Sequence, residues 1–483
     1  MSPCSIIITI LAYFAAVLAI SWFTGRKSDN AGFFSGNRKQ SWYVVAFAMI
    51  GSAMSGVTFV SVPGMVASTG FGYMQMALGF IAGQFVIAFV LVPLFYRMNL
   101  VSIYGYLEER FGVSSYRTGA WFFFISKMLG ASVRLYLICI SLQLMVFDPL
   151  GLPFALNVLI TVIILILYTF RGGVKSVIWI DFLKTGCMTV SIILCTIFIS
   201  KALGFTFGGM CRAVADSGMS RFFFFDDPNH PEFFFKQFFG GMFTVIAMTG
   251  LDQDMMQRSL ACKNFRDSQK NVITSTFLQT VVIFLFLVLG VLLYLFAGQA
   301  GPSLAGVTGD KLFPAVATSG QLPATVGIVF IVGLVSCSYA AGGSALTALT
   351  TSFTVDILGT AGKTEARVKS TREKVHILMA ACMGITIIVF NLLNNTSAID
   401  AVYKLASYTY GPILGMFAFG IFSKRKVNDR YVPLSAIVAP ALCLVLQLNS
   451  ERWFGGYRFS YELLILNALF TCIGLFIGSR KQD

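Results

Sequence analysis

The sequence predicts an all-α protein that crosses a lipid bilayer about thirteen times. Three observations lead there. Of its 483 residues, 57% are hydrophobic and only 12% are charged, more apolar material than a soluble core uses. The apolar residues gather into thirteen runs long enough to cross a hydrocarbon layer about 30 Å thick. The Lys and Arg residues between the runs fall mostly on alternate connections.

In order, the runs centre on 3–23, 42–66, 71–96, 118–145, 153–170, 176–204, 234–256, 271–299, 323–356, 376–391, 397–422, 431–448 and 460–478. The first starts almost at Met1 without a basic flank or a small-residue cleavage site, so it reads as a retained helix and not a signal peptide. The ninth is long for one crossing and is expected to be tilted or broken. With the N-terminus outside, the inner connections and tail hold 24 Lys and Arg and the outer ones six, a strong positive-inside bias. The formal net charge of +14 is then topology and contact with anionic lipid, not a nucleic-acid surface.

The stretch from Ser41 to Gly64 departs most from a plain lipid-facing helix. Gly51, Ser52, Ala53, Ser55, Gly56, Thr58 and Ser61 crowd it with small and hydroxyl side chains. Two readings fit: a tightly packed helix, or a discontinuous one whose freed carbonyls face a ligand at the midplane. The run at 234–256 has weak points of the same kind at Gly240-Gly241 and Thr249-Gly250. Residues 42–204 and 234–422 thus form two sets of five spans, each opening on an interrupted helix. The helices near 3–23, 431–448 and 460–478 lie outside the two sets, and residues 1–483 form a single transmembrane domain. The longest connection, 205–233, carries Phe222 to Phe225 and suggests an interfacial hairpin, a lid or a plain surface loop.

Enzyme constellations are missing from the sequence. Its two histidines, His230 and His376, lie far apart, and no HExxH, Walker loop or nucleophile elbow is present. Ten cysteines form no CxxC pair, and only Cys4 and Cys211 fall on the outer side, so no disulfide framework is expected. The informative residues are ionisable groups inside apolar runs, which are costly and so usually face a cavity or a partner. They are Arg134, Lys404, Asp181 and Lys184. Arg134 and Lys404 suit either a structural bridge or recognition of an anion. Asp181 and Lys184, three apart, share a helix face and suit an ion pair. Lys127 and Lys201 lie near span ends, where snorkelling accounts for them.

Four segments in this background carry a resemblance: SIYGYLEERFG (102–112), RGGVKSVIWID (171–181), TGLDQDMMQRSLACKN (249–264) and GSALTALTTSFTVDI (343–357). Together they resemble the sodium/solute symporter family, nearest to its iodide, vitamin and monocarboxylate branch, over about residues 5–425. The resemblance implies a LeuT-type fold of five plus five inverted helices, alternating access, a bacterial inner-membrane location and sodium as the coupling ion, with no other cofactor or metal. It puts the main cation site at the carbonyls of Gly51, Met54 and Cys337, with two hydroxyls expected at Ala340 and Ala341 that this chain lacks. Asp181 and Ser344 match a second cation or proton position. Lys184 replaces a glutamine, so its ammonium is a candidate stand-in for the missing cation. Substrate contacts implied by the family fall on Thr58, Met76, Ala77, Val245, Met248 and Lys404, to which the anion argument adds Arg134.

The expected function is a symporter importing a small anion such as a monocarboxylate, a sugar acid or sialic acid. A proton-coupled or uncoupled transporter of the same fold, or a solute sensor, stands as the alternative. The partners expected are the solute and the lipid bilayer, with neither nucleic acid nor an obligate protein partner.

Overall fold

The computed structural model describes all residues except 1–2, 26–39, 99, 101, 171–172, 303, 305, 360–363, 394–397, 456, 458, 460 and 481–483. The described chain is helical nearly throughout: α1 (Pro3–Gly25), α2 (Trp42–Ala53), α3 (Gly56–Thr69), α4 (Tyr73–Arg97), α5 (Gly105–Arg110), α6 (Val113–Leu142), α7 (Phe154–Thr169), α8 (Gly173–Ala202) and α9 (Phe207–Asp216). It continues with α10 (Phe234–Gly250), α11 (Gln253–Ser259), α12 (Phe265–Gln299), α13 (Leu312–Thr318), α14 (Ala324–Ile357), α15 (Glu365–Leu393), α16 (Ala398–Phe422), α17 (Val432–Trp453) and α18 (Leu463–Ile477). A two-residue antiparallel ribbon, Lys426–Val427 with Ser479–Arg480, ties the end of the chain to the α16–α17 connection.

Among the described residues, eight helices are long and apolar enough to cross a membrane, and two bent pairs supply further spans. Three shorter apolar helices correspond to α1, α7 and α18. The long run at 324–357 stays one helix. At about 1.5 Å per residue it outreaches a hydrocarbon layer about 30 Å thick, so it tilts or projects.

The bent pairs are α2–α3, at 60°, and α10–α11, at 74°. In the first, Met54 and Ser55 are extended, with ψ of 134° and 178°. The Met54 amide is the last to bond back, to the Ile50 carbonyl, while the Ser55 amide donates to Thr58 Oγ1 and starts a new helix. In the second, the break falls at Leu251-Asp252, where the Asp252 carboxylate caps α11 by accepting from the Met255 amide. Gly240-Gly241, expected to weaken α10, stay helical. A Cβ built on Gly241 falls 2.4 Å from the Met76 carbonyl oxygen, so this glycine lets α10 approach α4 and does not bend it.

The 205–233 connection folds as α9 and an irregular loop. Gln75 fastens the loop to the start of α4, donating to the Glu232 carbonyl and accepting from the Phe224 amide.

Candidate functional site

Both helix breaks open on one cavity. Its walls include Met54, Thr58, Arg134, Met248, Asp252 and Tyr410. Tyr73, at the start of α4, and Tyr403, near the start of α16, also line it and share a hydrogen bond of 2.9 Å between their hydroxyls.

A buried lattice of charges ties the cavity wall together. Lys127 on α6 reaches Asp252 at 3.1 Å and Asp254 at 2.8 Å. Arg258, one turn along α11, pairs with Asp254 and, at 3.2 Å, with Asp181 on α8. Ser344 on α14 donates to both Asp254 oxygens, Ser52 on α2 donates to Asp181 at 2.9 Å, and Tyr410 on α16 donates to Asp252. These carboxylates are acceptors only when ionised, and nearly every lone pair here has a fixed donor, as buried charge requires. The snorkelling account of Lys127 is therefore wrong, because its side chain is 7% exposed and its ammonium holds two aspartates. Arg258, counted with the inner-connection charges, is likewise a core residue.

Asp181 and Lys184 do not pair. Asp181 takes Arg258 and Ser52 instead, and both Asp181 Oδ1 and Lys184 Nζ are buried without a hydrogen-bond partner among the described residues. Arg134 is half-buried on the cavity wall and has no carboxylate partner among the described residues. Three cations (Lys127, Arg134, Arg258) and three carboxylates (Asp181, Asp252, Asp254) line the cavity. Lys127 and Arg258 are held by the carboxylates, and Arg134 is the lining cation without one among the described residues.

The other expected site residues divide. Thr58, Val245, Met248, Ala341 and Ser344 line the cavity, as does Met54 in the extended break. Cys337 and Ala340 are buried on α14 outside the lining, and Met76 and Ala77 are buried behind it. Lys404 is not brought in: its side chain is exposed, while its neighbours Val402, Tyr403, Leu405 and Ala406 line the cavity. Gly51 lies against α8, where an added Cβ would fall 2.3 Å from Thr185 Oγ1. The residues overlooked as a site are Asp252, Asp254, Lys127 and Arg258. Two aspartates just past Thr249-Gly250, within an apolar run, were the available signal.

A hard monovalent cation prefers a shell of oxygens, as harder divalent ions do. Asp181 Oδ1, buried without a hydrogen-bond partner among the described residues, and the Ser52 hydroxyl bonded to Asp181 are oxygens a sodium ion would take, and Ser344 lines the same cavity. These residue types fit sodium. The Gly51–Cys337 side does not fit, since Ala340 and Ala341 bring no side-chain oxygen and Lys184 brings a cation of its own.

The model of the sodium:solute symporter family matches residues 33–430. The chain is 26% identical to the sodium/sialic acid symporter NanT of Aliivibrio fischeri, covering 99% of this chain and 94% of that protein. It is 23% identical to the sodium/sialic acid symporter SiaT of Proteus mirabilis, covering 93% and 90%. A solved structure, a Na+-coupled sialic acid symporter in a substrate-bound outward-open state, superposes with a TM-score of 0.84 at 18% identity over 99% of both chains. At that identity the likeness establishes the fold alone.

Proposed function

The chain belongs to the sodium:solute symporter family, and we propose on that premise that it imports a small organic anion down a sodium gradient. Family membership makes it a membrane-embedded secondary transporter and not an enzyme. The finer reading is the solute, a monocarboxylate, a sugar acid or sialic acid. The single observation that supports it is Arg134, a half-buried guanidinium on the cavity wall with no carboxylate partner among the described residues. A planar fork of donors matches a carboxylate, and a monoanion gives Arg134 a counter-charge that no described carboxylate supplies. The apolar Val245 and Met248 on the same wall offer a neutral sugar little to bond. The sialic acid symporters among the relatives make that acid the first anion to try.

In this reading the bent pairs α2–α3 and α10–α11 open two inverted five-helix repeats, 42–204 and 234–422, and α1, α7 and α18 complete thirteen spans. The N-terminus lies outside and the C-terminus in the cytoplasm of a bacterial cell. Cation contacts come from Asp181 and Ser344, and solute contacts from Thr58, Arg134 and Met248.

Uptake into proteoliposomes tests this. With an inward sodium gradient, radiolabelled sialic acid or a monocarboxylate should accumulate, unlabelled anions should compete, and a neutral hexose should not. Accumulation of hexose alone would overturn the anion assignment.

A further inference from the structure

The α2 break is built to receive positive charge. Its backbone ladder stops at Met54, and the Ser55 amide is turned aside to Thr58, so the carbonyl of Gly51 gets no bond from the amide that would continue the helix. Unsatisfied carbonyls at a helix C-terminus carry the negative end of the helix dipole. Lys184 lies against this turn. Its Cδ is 3.4 Å from where a Gly51 Cβ would sit, its side chain is fully buried, and its Nζ has no hydrogen-bond partner among the described residues. The titratable groups acting on it are Asp181, Cys337, Arg258 and Arg134. Asp181 is already held by Arg258 and Ser52, so Lys184 is not one half of a closed pair. On α14, Cys337, Ala340 and Ala341 supply no side-chain hydroxyl; the α14 hydroxyl at the break is that of Ser338, whose Oγ lies 1.9 Å from where a Gly56 Cβ would sit.

We propose that the Lys184 ammonium is the permanent cation of the α2 break, supplying the charge a sodium ion would otherwise bring between the Gly51 turn and Cys337. The chain takes no sodium there, and coupling runs through the Asp181–Ser344 side alone. Both sodium and an ammonium at this place would put like charges about 4 Å apart. At an effective dielectric constant near 20 that disfavours the second ion by on the order of a thousandfold. Deleting two hydroxyls and adding a lysine therefore point the same way: one removes sodium's ligands, the other its charge deficit. The proposal rests on the transporter reading above, but not on which anion is carried.

Counting bound sodium on the purified full-length protein tests it separately from uptake. Equilibrium binding of 22Na+ should saturate at one ion per chain in the wild type and be lost in Asp181→Asn. The combined variant Lys184→Gln, Ala340→Ser, Ala341→Thr removes the ammonium and installs the hydroxyls. It should bind a second ion, and the Hill coefficient of its sodium-dependent thermal stabilisation should rise from one toward two. Lys184→Gln alone should lower uptake about tenfold or more, and Lys184→Arg should retain it. A wild type that binds two ions overturns the proposal, as does a folded triple variant that still binds one. The wild-type count decides even if the variant fails to fold. A wild type that accumulates no anion would remove the transporter reading and leave that count standing.

Discussion

Asp254 is held from three sides, with Lys127, Arg258 and Ser344 all bonded to it. Lys127→Met leaves Asp252 without a cation and Asp254 with Arg258 alone in a buried site, and breaking such a pair costs about 3–5 kcal/mol. Thermal unfolding in detergent should show a large drop in Tm. Adding Asp252→Asn, which removes the orphaned charge, should recover part of it. An unchanged Tm in the single variant would mean the lattice is not structural. Arg134 poses the opposite case. With no carboxylate to abandon, Arg134→Gln should leave the Tm of the solute-free protein nearly unchanged and weaken anion binding by roughly 10- to 100-fold, the scale of a lost charge-assisted pair. A large Tm loss without a change in Kd would make Arg134 a structural residue. Composition separates these two basic residues poorly. Arg134 lies deep in its run, whereas Lys127 lies nearer a span end, where local sequence favours snorkelling.

Helix breaks are the elements that make the site, and their existence was legible in the sequence while their positions were not. Small residues at 51–56 and Gly250 marked both. The chain bends at Met54-Ser55 and Leu251-Asp252, where side-chain caps on Thr58 and Asp252 replace the lost backbone bonds. Glycines within the helices serve contact instead. Gly51→Ala sets a methyl 2.3 Å from Thr185 Oγ1 and 3.0 Å from the Asp181 carbonyl, so α2 must move off α8. A cost of about 1–3 kcal/mol, read as lowered Tm together with weakened sodium binding, is expected. Gly186→Ala on α8 meets nothing within 4 Å and is the control, with a stability change within about 1 kcal/mol. Equal losses in the two variants would contradict the close approach of α2 and α8.

At the scale of the whole molecule, the expected orientation rests on charge. Moving Arg258 from the inner connections into the core takes one residue from a 24-to-six imbalance and leaves its direction intact. Of the cysteines whose burial is described, Cys211 on α9 is the exposed one. With the N-terminus outside, an impermeant maleimide added to intact cells should label a Cys4→Ser variant and not the double variant Cys4→Ser, Cys211→Ser. Labelling only after lysis would reverse the orientation.

Span lengths, the two interrupted helices, the charge bias and the family motifs all followed from the sequence by itself, because each is a property of a short stretch: enough apolar residues to cross, enough small ones to unwind, enough basic ones to stay inside. Only the tertiary structure decided which charges meet. Lys127 and Asp252 are 125 residues apart, Arg258 prefers Asp181 to leaving it for Lys184, and Lys404 turns away from a cavity its neighbours line. Those pairings depend on how each helix is rotated and how closely it packs on the next, and no local pattern encodes that.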